Sequence, residues 1–104
     1  MIRQYDVIEN PDTEESAHRP YLVVLQSDLI SGLRSTVVAP LVARSEMDGA
    51  RQLNPVMVVD GREFWLATHE LFAVDQRMLR KKVTSFSEHR GSITAALDLL
   101  FTGI

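Results

Sequence analysis

The stretch Pro55-Val56-Met57-Val58-Val59-Asp60-Gly61-Arg62-Glu63-Phe64-Trp65-Leu66-Ala67 constrains the fold more than any other part of the chain. It holds two apolar runs joined by Asp60-Gly61, and Asp-Gly supplies the positive-φ residues of a tight hairpin turn. A chain that forms this hairpin is committed to antiparallel pairing, and the other segments fall in with it. Gln4–Ile8 alternates weakly and reads as a strand. A polar loop follows, Asn10 to Pro20, with proline near each end. Tyr21–Leu25 is a near-continuous apolar run rich in β-branched residues, which suits a strand buried on both faces. After a break at Gly32, Thr36–Val42 reads as a further strand in which Pro40 marks an edge or a bend. Ala43–Asn54 is a second polar connection. Leu71-Phe72-Ala73-Val74 fits the start of a strand or of a short helix, and Val74–Leu79 is assigned as strand.

From Ser85 the period changes. Ser85-Phe86-Ser87-Glu88 has capping-box spacing. Ile93, Leu97, Leu100 and Phe101 then fall at i, i+4, i+7 and i+8, one stripe of an amphipathic helix. The helix should stop near Phe101, with Gly103 forming the C-terminal turn. Gly91 weakens its first part by about 1 kcal/mol relative to alanine. The expected architecture is mainly β with a C-terminal α-helix: a small barrel or twisted antiparallel sheet of five to seven strands, one domain over residues 1–104.

Composition narrows the function classes. The net charge of −3 lacks the basic surplus of a non-specific nucleic-acid binder. The absence of cysteine excludes disulfides and thiolate metal sites. No apolar run approaches the roughly 18–20 residues of a membrane span, and the N-terminal residues lack a signal peptide's apolar stretch. The expectation is a soluble, cytoplasmic protein without cofactor.

Individual residues offer few chemical sites. His18, His69 and His89 are the only histidines, and their spacing matches no metal motif. Glu14 and Glu15 sit in a polar loop beside Asp12, where adjacent acids are solvated. Thr68-His69-Glu70 has the residue types of a general base with an orienting carboxylate, but it also reads as a plain strand-to-turn junction. Arg77, Arg80, Lys81 and Lys82 form a basic cluster suited to an acidic partner or a solvated face. The tail Phe101-Thr102-Gly103-Ile104 has two readings of equal weight. Either the helix ends and its last residues pack on the core, or Thr102-Gly103-Ile104 projects as a probe, whose isoleucine would contribute about 1.5–3 kcal/mol on burial in a partner.

Several segments together resemble one family. Leu25-Gln26-Ser27-Asp28-Leu29-Ile30 resembles the V-Q-S-D-[IL]-[IL] stretch of the CcdB toxins. Val37-Val38-Ala39-Pro40-Leu41 is similar to that family's V-I-P-L strand, and Leu53-Asn54-Pro55-Val56 to its L-x-P-V. The segment from Ile93 to Ile104 is similar to its helix and terminal W-G-I. The resemblance implies an SH3-like barrel with a C-terminal helix, and a homodimer that is not an enzyme. It implies a poison that binds the A subunit of DNA gyrase and traps the state with both strands cut. It carries the gyrase-binding role to Thr102, Gly103 and Ile104, then to Asp98, Phe101, Leu29 and Ile30. It also implies a CcdA-like antitoxin with a disordered arm that folds on binding, contacts at the loops Ile8–His18 and Ala43–Leu53, shared autoregulation, and contact with DNA only through the antitoxin. Thr102 departs from the pattern, which has tryptophan there, a frequent hot-spot residue.

Arg19-Pro20-Tyr21-Leu22-Val23-Val24 is similar to the opening of the MazF/Kid mRNA interferases, which share the fold. Their R-x-D stretch would fall at Thr68-His69-Glu70, without the arginine and with a longer acid, and His18 sits near the loop histidine of some of these nucleases. An endoribonuclease and a non-toxic antitoxin-binding co-repressor are thus the alternatives.

Overall fold

The computed structural model describes residues 2–104. Seven strands are arranged as β1 (Asp6–Glu9), β2 (Tyr21–Val24), β3 (Ser35–Ala43), β4 (Val56–Val59), β5 (Arg62–Leu66), β6 (Phe72–Asp75) and β7 (Lys82–Ser85), followed by one helix, α1 (Arg90–Thr102). Every strand pairing is antiparallel. The sheet runs β4-β5-β3-β2-β1-β7, with β6 also paired to β3, and it curls into the SH3-like half-barrel expected from the sequence.

The Asp60-Gly61 hairpin forms as expected. Asp60 and Gly61 have φ of 51° and 75°, and they join β4 to β5 with Val59 opposite Arg62. β2 is buried on both faces, also as expected. Val23 faces one apolar cluster with Val7, Leu41, Phe64, Leu66 and Ile93. Leu22 and Val24 face a second with Ile8, Val38 and Leu79. In the larger cluster Tyr21 meets Phe64 edge-on, with ring centroids 5.6 Å apart.

Five expectations need correction. Pro40 lies inside β3, a central strand, opposite Leu22. On its other side β3 pairs with β6 through Val38 and with β5 from Leu41 onward. Pro40 thus falls in the gap between two partners, where its missing N–H breaks no ladder bond. The first strand starts at Asp6 because Tyr5 takes a left-handed φ of 70°. The strand assigned to Val74–Leu79 is really β6, ending at Asp75. The Asp75 carboxylate accepts from the Arg77 N–H and turns the chain into a 3-10 turn, Gln76–Met78. The capping box does not form: Ser85 Oγ accepts from the Ser87 N–H, and a 3-10 turn, Ser87–His89, precedes α1. Finally, Phe101 is off the buried stripe. Ile93 and Ala96 are buried in α1, whereas Phe101 is 68% exposed. It lies about 100° further round the helix than Leu100.

Buried polar groups are matched. The Asp6 carboxylate accepts from the Arg3 N–H and lies 3.3 Å from Lys82 Nζ. Asn54 accepts from the Ala50 N–H and donates to the Leu66 carbonyl, tying the β3–β4 loop to the sheet. Trp65 holds the same loop. Its indole N–H donates to the Arg44 carbonyl at 3.1 Å, and the Arg44 guanidinium sits 5.3 Å above the ring. Gly49 lies so close to the indole that a Cβ there would overlap it.

Candidate functional site

The residues singled out by the sequence fall into two projections. The first is the end of α1. Gly103 takes φ 75° and ψ 17°, and its N–H donates to the carbonyls of Asp98 and Leu99. A Cβ on Gly103 would meet nothing within 4 Å, so glycine is needed there for its left-handed backbone and not for space. Thr102 Oγ1 donates to the Asp98 carbonyl at 2.7 Å, which turns its hydroxyl back onto the helix. Ile104 is 91% exposed and borders a hollow of about 550 Å³ with Leu99, Ala95, Pro55 and Val56. A well-capped helix thus carries two large apolar side chains, Phe101 and Ile104, into solvent.

The second projection is the 3-10 turn Asp28–Ile30. Ser27 Oγ accepts from the Leu29 N–H. The Asp28 carboxylate accepts from the Gln4 N–H at 2.8 Å and from Arg3 Nε at 3.3 Å. The turn is therefore pinned at its base, while Leu29 is 95% exposed at its crest. Asp28 borders a hollow with Ser87 and Arg90 at the start of α1. Thr102 is the last residue of that helix, about 18 Å further along its axis. Leu29 and Ile30 are therefore not brought together with Gly103 and Ile104.

The acid–base candidates are engaged elsewhere. Thr68-His69-Glu70 forms a 3-10 turn with Thr68 buried. Asn54 Nδ2 lies 3.2 Å from His69 Nδ1. The amide N–H can only donate, so this contact suits the imidazole tautomer whose Nδ1 is free to accept. Glu70 accepts a two-pronged bond from Arg19, at 2.8 Å from Nε and 3.1 Å from Nη2. That bond holds the Glu70 carboxyl below its usual range and raises the Arg19 guanidinium. The sequence named Glu70 but could not name its partner, 51 positions away.

His18 lies 3.7 Å from Glu46, so the β1–β2 and β3–β4 loops touch. His89 packs edge-on to Phe86. Among the described residues no three acidic or histidine side chains converge as metal ligands. The N–H groups of Glu14 and Glu15 donate to Asp12 Oδ1, and Glu15 lies 3.8 Å from Arg19. The basic cluster divides. Arg77 binds Asp75 at 2.8 Å, which lowers the Asp75 carboxyl to about 2; Lys82 binds Asp6. Arg80 and Lys81 enter no ion pair among the described residues. No helix among those residues is long and apolar enough to cross a membrane.

No curated protein matches the chain. The family model described as CcdB protein matches residues 4–103.

Proposed function

The chain belongs to the CcdB family, toxins of toxin–antitoxin systems, and on that premise we propose that it binds the A subunit of DNA gyrase and traps gyrase on cleaved DNA. It acts by binding, not by catalysis. The observation that carries this reading is the end of α1, where a glycine cap fixes the backbone and leaves Phe101 and Ile104 exposed. Large apolar side chains on a rigid element dock with little loss of conformational freedom. Gly103 and Ile104 are the central contacts, Phe101 and Asp98 flank them, and Leu29 and Ile30 supply a separate apolar contact. In a homodimer a second protomer offers the same set again. A CcdA-like antitoxin neutralises the toxin and joins it in autoregulation, and DNA is met only through that antitoxin.

The test is purified gyrase with supercoiled plasmid. The intact chain should accumulate linear DNA, and a chain lacking Gly103 and Ile104 should fold normally and accumulate none. Equal linearisation by the truncated chain would remove the helix end from the mechanism. Thr102 presents only its methyl group outward, since its hydroxyl is bonded to Asp98. Thr102→Trp should therefore strengthen poisoning, by roughly 30-fold if the ring gains a hot-spot contact of about 2 kcal/mol.

The ribonuclease alternative gains no support from the geometry. Thr68 stands where its arginine would be, and Glu70, the acid it would use, is held by Arg19. A labelled RNA should remain intact after incubation with the chain.

A further inference from the structure

The hollow at the start of α1 is rich in unused hydrogen-bond donors. Its volume is about 360 Å³, and it brings together the N-terminal segment, Asp28, β7 and the turn that leads into α1. Three cations, Arg3, Lys82 and Arg90, line it against two carboxylates, Asp6 and Asp28. All four carboxylate oxygens already have a partner. Buried Asp6 accepts from the Arg3 N–H through Oδ2, and its Oδ1 lies 3.3 Å from Lys82 Nζ. Asp28 accepts from the Gln4 N–H through Oδ1 and from Arg3 Nε through Oδ2. The cations are less fully used. Arg3 meets Asp28 through Nε alone, which leaves its two Nη groups to donate. The Arg90 guanidinium enters no ion pair among the described residues. Ser85 Oγ accepts from the Ser87 N–H, so its own hydroxyl proton is also available, and Ser87 adds a second hydroxyl.

Free cationic donors gathered around engaged carboxylates favour an anion. We propose that this hollow binds the phosphate group of a small polar phosphomonoester. The Arg90 guanidinium is the main contact, because arginine presents paired N–H groups that match two phosphate oxygens at once. Arg3 Nη, Lys82 Nζ and the two serine hydroxyls add single bonds. The volume lies at the lower end of small-molecule sites, about 300–1,000 Å³, so it takes more than a bare phosphate and less than a polymer. Tyr5 is the one lining residue with a mainly apolar side chain, so the group that carries the phosphate is polar too, as a sugar is. A duplex DNA backbone offers one charge per phosphate where a monoester offers up to two, and its phosphates lie along a rigid helix that a hollow does not admit. The site needs neither Leu29 and Ile30 nor the end of α1, so it stands apart from the gyrase reading.

Ribose 5-phosphate titrated into the isotope-labelled intact chain at constant ionic strength, and followed by proton–nitrogen NMR, tests this site. The backbone N–H signals of Gln4, Ser85, Ser87 and Arg90 should shift together and saturate, and unphosphorylated ribose should move none of them. Arg90→Glu should weaken binding at least about ten-fold, and Ser87→Ala about three-fold. Both residues are exposed, so far-UV circular dichroism should match the parent; should Arg90→Glu fail to fold, Arg90→Gln carries the test. Inorganic phosphate should compete at the same signals but bind more weakly. Equal binding by inorganic phosphate would reduce the ligand to a bare ion and overturn the phosphomonoester. A blunt DNA duplex with hydroxyl ends should leave these signals in place; shifts there on adding the duplex would assign the hollow to a nucleic-acid backbone instead. Shifts that never saturate, shifts centred on Arg80 and Lys81, or unchanged affinity in the Arg90 variants would each remove the site.

Discussion

The two faces of the sheet are built differently. The face under α1 closes over a large cluster, with Phe64, Leu66, Leu41 and Ile93 fully buried and strands, hairpin and helix all contributing. On the other face Ile8, Leu22, Val24, Val38 and Leu79 form a much smaller cluster, with Ile2 and Val74 packed against it. That face is covered at one end by the 3-10 turn Gln76–Met78 and its neighbour Leu79. By strand alternation Trp65 lies on the same side, opposite Val42, and there the β3–β4 loop covers it. Between these two covers a groove over Leu22, Pro40 and Phe72 is open. One face holds the molecule together, and the other trades packing for access.

This contrast is most directly tested with a matched pair. Leu66→Ala and Leu22→Ala remove the same atoms from buried sites, yet the first empties the closed core and the second lies beside a groove into which neighbours can relax. Leucine-to-alanine costs span about 2–5 kcal/mol according to how well the site collapses. Leu66→Ala should fall near the top of that range and Leu22→Ala near the bottom, read by chemical denaturation; equal losses would mean that both faces are packed alike. Gly49→Ala comes next. Its Cβ would push the β3–β4 loop off Trp65, for about 1–3 kcal/mol by overpacking; a neutral result would show that the cover at this end is loose.

The Arg19–Glu70 pair on the groove rim should have a smaller, pH-dependent effect. Arg19 holds the Glu70 carboxyl below its ordinary value of 4.5. Its stabilisation is therefore complete above that value and is lost as pH falls through the lowered native value. Glu70→Gln should cost about 1 kcal/mol at neutral pH and flatten the acid limb below 4.5. A parallel acid limb in parent and variant would detach this pair from the stability of the rim. The smallest change lies in the helix on the closed side. Gly91 has open space at its Cβ, so Gly91→Ala should stabilise by about 0.5–1 kcal/mol; a loss would indicate that this turn needs glycine's backbone freedom.

The parts legible in the sequence were those encoded locally. Asp60-Gly61 states its own turn, the β2 run states its two buried faces, and Gly103 states the end of α1. What was misread depended on partners distant in sequence. Pro40 reads as an edge until β5 and β6 are seen to divide one side of β3 between them. β6 reads as a longer strand because nothing local reveals that Asp75 will cap the next turn. Phe101 fits the apolar stripe by spacing alone, but only the position of the sheet decides which part of that stripe is covered. The same holds for the sites. The helix end was visible in order along the chain, whereas the polar hollow is assembled from Arg3, Asp28, Lys82 and Arg90 by folding, and no local pattern announces it.

Trp65 has a practical consequence. It is the only tryptophan in the chain, it is 7% exposed, and Gly49, Arg44 and the Arg44 carbonyl surround its indole. Its emission is therefore an intrinsic optical gauge of the β3–β4 loop. When a partner lifts or presses that loop, the fluorescence should change with no label attached and without altering any residue of the helix end.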